Sequence, residues 1–188
     1  HTRYWRDWSS DVCSSDLRIL FKAIEDKKLV FIYNESVSEG GVILFSLILK
    51  LLGFVESTGG TKREGVNTFA VLTGSTANKL DIIRNFNRPD NREGGRINLI
   101  IGSQAVSEGL TLKNVQVEIV QTAWFNYARI DQALARGYRA GSHTVLSRYK
   151  DDITQDIYLQ AAVPNNGEYI SIDDQMYTVA QKKDISRS

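Results

Sequence analysis

Four residues in one stretch have the types and spacing for phosphate chemistry. Arg129, Gln132, Arg136 and Arg139 follow one another at intervals of three, four and three. On a helix those intervals place all four on one face. Each guanidinium is a planar fork of donors that matches phosphate oxygens two at a time. Ile130, Ala133, Leu134 and Gly137 form another stripe, suited to packing against a sheet. A solvated basic helix face would carry the same spacing, so the helix alone leaves both readings open.

The elements ahead of this stretch tell where it must sit. Ile97–Ile101 is an apolar run with strand character, and Gly102-Ser103 makes a small-residue turn leading to Glu108-Gly109. Val115–Val120 is a second β-rich run. Strand, loop, strand and cationic helix suit an α/β fold, in which ligands gather at the carboxyl edge of a parallel sheet. Upstream, Leu29–Tyr33 reads as a buried strand. Gly40-Gly41 then opens Val42–Leu52, apolar on nearly every side and closed by Gly53. That segment is too short to span a bilayer and is expected to be a buried core helix.

Phe69–Leu72 is expected as a short strand running into Thr73-Gly74-Ser75-Thr76. Small hydroxyl residues with a glycine let backbone amides approach a phosphate closely. Ser75 or Thr76 would equally cap the amphipathic segment Ala77–Phe86. Asn87–Gly95 reads as a loop whose arginines, Arg88 and Arg92, are solvated or brush a phosphate. Gly59-Gly60-Thr61-Lys62 departs from the phosphate-loop pattern, because no Gly-Lys-Ser/Thr occurs. After His143, Thr144–Tyr149 and Asp156–Ala161 read as strands. Ser171–Asp174 then caps a helix reaching about Lys183.

The 188 residues suit one domain with a real core. Hydrophobic content of 42% and charged content of 24% are ordinary for a globular protein. A net charge of +1 gives no bulk field for a polyanion, so any nucleic-acid surface must be a local patch. No apolar run reaches the roughly 18 residues of a membrane span, so no membrane partner is expected. His1–Leu17 stands apart. Its stretch DWSSDVCSSDL lacks either period and resembles a translated sequencing-adapter oligonucleotide, so this tail is read as non-native and the domain as 18–188. The single cysteine, Cys13, lies in that tail. Neither a disulfide nor a Cys-ligated metal is expected, and the two histidines are far from metal-ligand spacing.

Gln132-x3-Arg136-x2-Arg139-x-Gly141 resembles motif VI of superfamily 2 helicases and translocases. Ser103-x5-Gly109-Leu110-x-Leu112 resembles their motif V, at the expected distance. Trp124-Phe125-Asn126 and Ala128–Gln132, between them, are most similar to helicases and nucleoside triphosphate phosphohydrolases of large DNA viruses, with Swi/Snf-type translocases next. Glu108 departs from the arginine of RNA-helicase patterns.

The resemblance implies a RecA-like, P-loop NTPase-type C-terminal lobe, with a central, mainly parallel sheet flanked by helices. It covers Arg18–Ser188 and implies a chain truncated at its carboxyl end. Neither a Walker A sequence nor an Asp-Glu pair of Walker B type occurs, so ATP and Mg²⁺ would be held mainly by a missing first RecA-like lobe of the same protein. Arg136 and Arg139 would be the catalytic residues, with Arg139 the better arginine finger. Gln132, Gly109 and Thr111 would bind nucleotide. Ser103, Thr73, Gly74 and Asn34 would bind the backbone of single- or double-stranded nucleic acid, DNA rather than RNA. The setting implied is intracellular: a virion, a viral factory or a nucleus. Two other readings remain: a nucleotide-sugar-binding lobe of a transferase, and a catalytically silent α/β interaction scaffold.

Overall fold

In a computed structural model, the structure describes residues 2–9, 12–37, 41–59, 65–103, 111–122, 143, 146–149, 153–162, 175–176 and 178–179. Among the described residues, seven parallel strands form one sheet. In chain order they are β1 (Thr2–Ser9), β2 (Leu29–Tyr33), β3 (Val55–Glu56), β4 (Thr68–Leu72), β5 (Leu99–Gly102), β6 (Val115–Val120) and β7 (Gln155–Ala162). Their order across the sheet is β1-β7-β6-β2-β5-β4-β3. Packed on it, among the described residues, are the helices α1 (Val12–Glu25), α2 (Val42–Leu51) and α3 (Lys79–Phe86).

Alternation along the strands builds two cores. Val30 and Ile32 of β2, with Leu99 and Ile101 of β5, meet Leu20 of α1 and Phe45 and Leu49 of α2. Leu29 and Phe31, with Ala70, Leu72 and Ile100, meet Ile82, Ile83 and Phe86 of α3. Strands buried on both faces read as continuous apolar runs, which is why Leu29–Tyr33 was visible in sequence. β2 is the centre of the sheet, and the expected Ile97–Ile101 run lies beside it. The strand there is Leu99–Gly102, one place from the centre.

Several elements differ from expectation. Helix α1 begins at Val12, so it takes in Val12–Leu17, and residues 2–9 pair with β7 at the sheet edge. Helix α2 buries Val42, Phe45, Ser46 and Leu49. Its other face carries Ile43, Leu44, Leu47 and Leu51, with Leu51 at 87% exposure. A buried core helix is therefore corrected to a helix with one buried face, because only one side meets the sheet. Gly53, at φ 86°, ends it in the left-handed conformation that glycine adopts without strain. At the start of α2, a Cβ on Gly41 would lie 1.9 Å from the Ser36 carbonyl oxygen. That approach lets the Ser36 and Val37 carbonyls accept from the Val42 and Ile43 amides.

The strand expected over Thr144–Tyr149 does not appear at its described residues, 146–149. Leu146–Arg148 is a 3-10 turn with Leu146 in the core, and the Tyr149 amide bonds locally to the Leu146 carbonyl. Tyr149 instead takes the Arg92 guanidinium over its ring at 4.2 Å. Arg88 is also engaged: with Arg96 it flanks Asp90, and bonds from Arg96 first and Arg88 second hold that carboxyl well below its ordinary range. The described residues 175–176 and 178–179 are helical, where the sequence expected a helix.

Candidate functional site

In a parallel sheet every strand delivers its carboxyl end to the same edge. The register here is Leu72 beside Gly102, Gly102 beside Tyr33, and Tyr33 beside Val120. The next residue of each strand is therefore Thr73, Ser103, Asn34 and Gln121, in one row across β4, β5, β2 and β6. Backbone bonds continue the ladder into this row. The Ser103 amide donates to Leu72 at 3.2 Å, Asn34 to Gly102 at 3.0 Å and Gln121 to Tyr33 at 2.9 Å. The connections leave two neighbouring strands in opposite directions here: the chain goes from β2 past β5 and β4 out to β3, and from β5 past β2 to β6. Such a switch point leaves a crevice at the carboxyl ends of the strands, where α/β folds bind ligands.

The turn after β4 is knitted by hydroxyls. Thr76 Oγ1 accepts from the Thr73 amide at 3.0 Å and donates to the Val71 carbonyl at 3.2 Å. Thr73 Oγ1 lies 3.1 Å from Ser75 Oγ. Lys79 Nζ donates to the Gly74 carbonyl at 2.9 Å, bringing an ammonium group to the turn. The expected N-cap is corrected: α3 starts at Lys79 after Asn78, and Thr76 closes the turn instead of capping. Beside the turn lies a cleft of about 410 Å³, bounded by Val42, Ser46, Leu47, Thr76, Asn78 and Ile82.

The other half of the row is a carboxamide network. Asn34 Oδ1 accepts from the Ser36 amide at 2.9 Å and from Thr122 Oγ1 at 3.0 Å. Asn34 Nδ2 donates to Gln121 Oε1 at 3.1 Å, and Gln121 Nε2 donates to Asp16 Oδ2 at 2.6 Å. Asn34 therefore reaches the expected edge with its side chain bonded to the scaffold. Gln121, Thr122 and Asp16 were not singled out in sequence. The signal available was two polar residues directly after the buried Val115–Val120 run.

Ser103, Thr73, Gly74 and Asn34, from loops far apart in sequence, come together at this edge. Thr111 does not join them. Its carbonyl accepts from Asn87 Nδ2 at 2.8 Å, just past the carboxyl end of α3. Helix α3 returns the chain from the carboxyl end of β4 to the amino end of β5. Thr111 also precedes Val115, the first residue of β6, which pairs with Leu29 at the start of β2. Thr111 thus lies at the amino edge of the sheet. Gly109, Gln132, Arg136 and Arg139 lie outside the described residues. His143 Nε2 is 2.6 Å from the Val115 carbonyl, also at the amino edge.

Comparison with known proteins identifies this arrangement. The family model described as the helicase conserved C-terminal domain matches residues 18–141. The chain belongs to the helicase conserved C-terminal domain family. Frog virus 3 (isolate Goorha) has a protein named as a helicase, 009L, that is 37% identical over 166 residues, covering 88% of this chain and 17% of that protein. Protein 087L of invertebrate iridescent virus 3, also named as a helicase, is 33% identical over 163 residues, covering 84% of this chain and 17% of its own length. The chain therefore spans about a sixth of these relatives. The crystal structure of the C-terminal part of the Fun30 ATPase domain superposes with a TM-score of 0.59 at 19% identity, covering 89% of this chain and 45% of that one. The fold is that of a RecA-like helicase C-terminal lobe.

One ionisable group in this lobe was not singled out in sequence. Glu118 is fully buried on β6, on the α3 side of the sheet, and Gln155 Nε2 donates to its Oε1 at 2.6 Å. Burial raises its pKa well above the ordinary carboxylate value, and the Gln155 bond opposes that only in part.

Proposed function

We propose that this chain is the second lobe of an ATP-dependent nucleic-acid helicase or translocase. The row of Thr73, Ser103 and Asn34 supports the reading most directly, together with membership of the helicase family. At that edge the Thr73 and Ser103 hydroxyls and the Gly74 amide grip sugar-phosphate backbone, with little sequence preference. Asn34 acts there by holding the loop after β2.

The nucleotide lies in the cleft between this lobe and the ATP-binding first lobe. Arg136 and Arg139 meet its γ-phosphate, with Arg139 as the arginine finger that stabilises charge developing on the transferred phosphoryl group. Gln132 couples nucleotide to cleft closure, and Gly109 and Thr111 lie near the ribose. Among the described residues no group of three or more His, Cys, Asp or Glu side chains could hold a metal ion. On the helicase reading, ATP and magnesium are held mainly by the first lobe. Among the described residues no helix is long and apolar enough to cross a membrane.

Titration of the chain with a labelled single-stranded oligonucleotide tests the reading. Binding should weaken as salt rises, with a slope of about −0.7 per phosphate contacted. Thr73→Ala and Ser103→Ala should each weaken it further. Preference for a nucleoside diphosphate sugar over the oligonucleotide would favour a transferase lobe instead.

A further inference from the structure

The Thr73–Thr76 turn and the Thr111–Lys113 segment lie at opposite edges of the sheet, and one element touches both. At its amino end α3 reaches the hydroxyl turn through its first residue, Lys79, whose Nζ bonds the Gly74 carbonyl at 2.9 Å. At its carboxyl end stands Asn87. Its Nδ2 donates to the Thr111 carbonyl at 2.8 Å, and its Oδ1 accepts from the Lys113 amide at 2.7 Å. One carboxamide thus closes on the backbone either side of Leu112, which is fully buried in the core that holds Ile82, Ile83 and Phe86. The helix between is about 12 Å long at 1.5 Å per residue, and those three buried side chains fix it to the sheet.

We propose that α3 is the link by which nucleic acid bound at the Thr73–Thr76 turn is felt at the Thr111–Lys113 segment, with Asn87 as its positioning residue. The ligand at each end is taken from the helicase reading. A packed helix moves as a body, so a backbone phosphate that shifts the turn also shifts Asn87. A carboxamide bonded to two backbone groups passes that displacement to the segment beside the nucleotide. Asn85 bonds the Gly59 carbonyl at 2.8 Å from the same helix, but it faces the edge of the sheet and not the Thr111 segment.

Hydrogen exchange on the 188-residue chain, with and without single-stranded oligothymidylate, reads the link. In the wild-type chain, oligonucleotide should slow exchange at residues 111–113 by about five-fold or more, the lower end of usual coupling. Asn87→Ala should bind oligonucleotide within about two-fold of wild type, set by the size of ordinary surface effects, yet lose that response. Asn87→Asp keeps the acceptor for Lys113 and loses the donor for Thr111, so it should respond weakly. It also carries the test if Asn87→Ala does not fold. Oligonucleotide bound without any change at 111–113, or an undiminished response in both variants, would overturn the link and leave the helicase reading standing. A wild-type chain that binds no oligonucleotide would overturn both.

Discussion

The Asn34 carboxamide oxygen and the Thr122 hydroxyl are 3.0 Å apart, although 88 residues separate them in the chain. Asn34 opens the loop after the central strand. Thr122 stands directly before the segment that carries Gln132, Arg136 and Arg139. The bond therefore ties the edge proposed to hold nucleic acid to the root of the segment proposed to meet ATP. Gln121 strengthens the tie by accepting from Asn34 and donating to Asp16 of α1.

Removing the Asn34 carboxamide strips acceptors from Ser36 and Thr122 and a donor from Gln121. Asn34→Ala should cost about 1 kcal/mol of stability, the net worth of an ordinary hydrogen bond, since its partners Ser36, Gln121 and Thr122 keep some access to water. Urea unfolding would show a lower midpoint at an unchanged slope. Asn34→Asp keeps both acceptor bonds and should cost less. Equal midpoints for Asn34→Ala and wild type would show that the network holds nothing.

Glu118 makes stability depend on pH in a definite direction. Its folded pKa is raised by burial, so above the unfolded value the native state binds more protons than the unfolded one. Stability then falls as pH rises from the unfolded pKa toward the folded one. Glu118→Gln removes the penalty and still accepts from Gln155. The variant should gain stability over wild type at pH 7. The gain should shrink as pH falls toward the ordinary carboxylate value of 4.5. Denaturant titrations at several pH values would expose a flat difference, which would contradict a neutral buried acid.

The two faces of α2 should answer substitution differently. Leu49 is fully buried, so Leu49→Ala should cost about 2–5 kcal/mol through lost burial and a cavity. Leu51 is 87% exposed, so Leu51→Gln should change stability by less than about 0.5 kcal/mol. Comparable unfolding midpoints for the two variants would show that the helix is covered on both sides.

What could be read ahead of the structure followed burial. Leu29–Tyr33 and the strand around Phe69–Leu72 sit between helices or deep in the sheet, and their unbroken apolar runs say so. Helix α2 misled because its sequence is apolar on both faces, and composition cannot say which face meets the sheet. Glu118 gave no sign of its burial, since alternation in VQVEIV fits a half-exposed strand equally well, while the structure buries every residue of it. Ser103 and Thr73 were legible because each directly follows a strand. Asn87 and Gln121 were not, since their importance comes from partners 26 and 87 residues away. That Thr111 lies at the opposite edge from Ser103 follows from strand direction, which the local spacing of the two does not encode.

The central claim is that this lobe completes an ATP site built mainly by another. ATP turnover in a protein that joins this lobe to its ATP-binding first lobe, with nucleic acid present, tests it most directly. Arg139→Ala should lower turnover by on the order of 10³–10⁵, as loss of an arginine finger does, while ATP affinity stays near wild type. The 188-residue chain alone should hydrolyse none. Full turnover by Arg139→Ala, or appreciable hydrolysis by the isolated chain, would contradict the account.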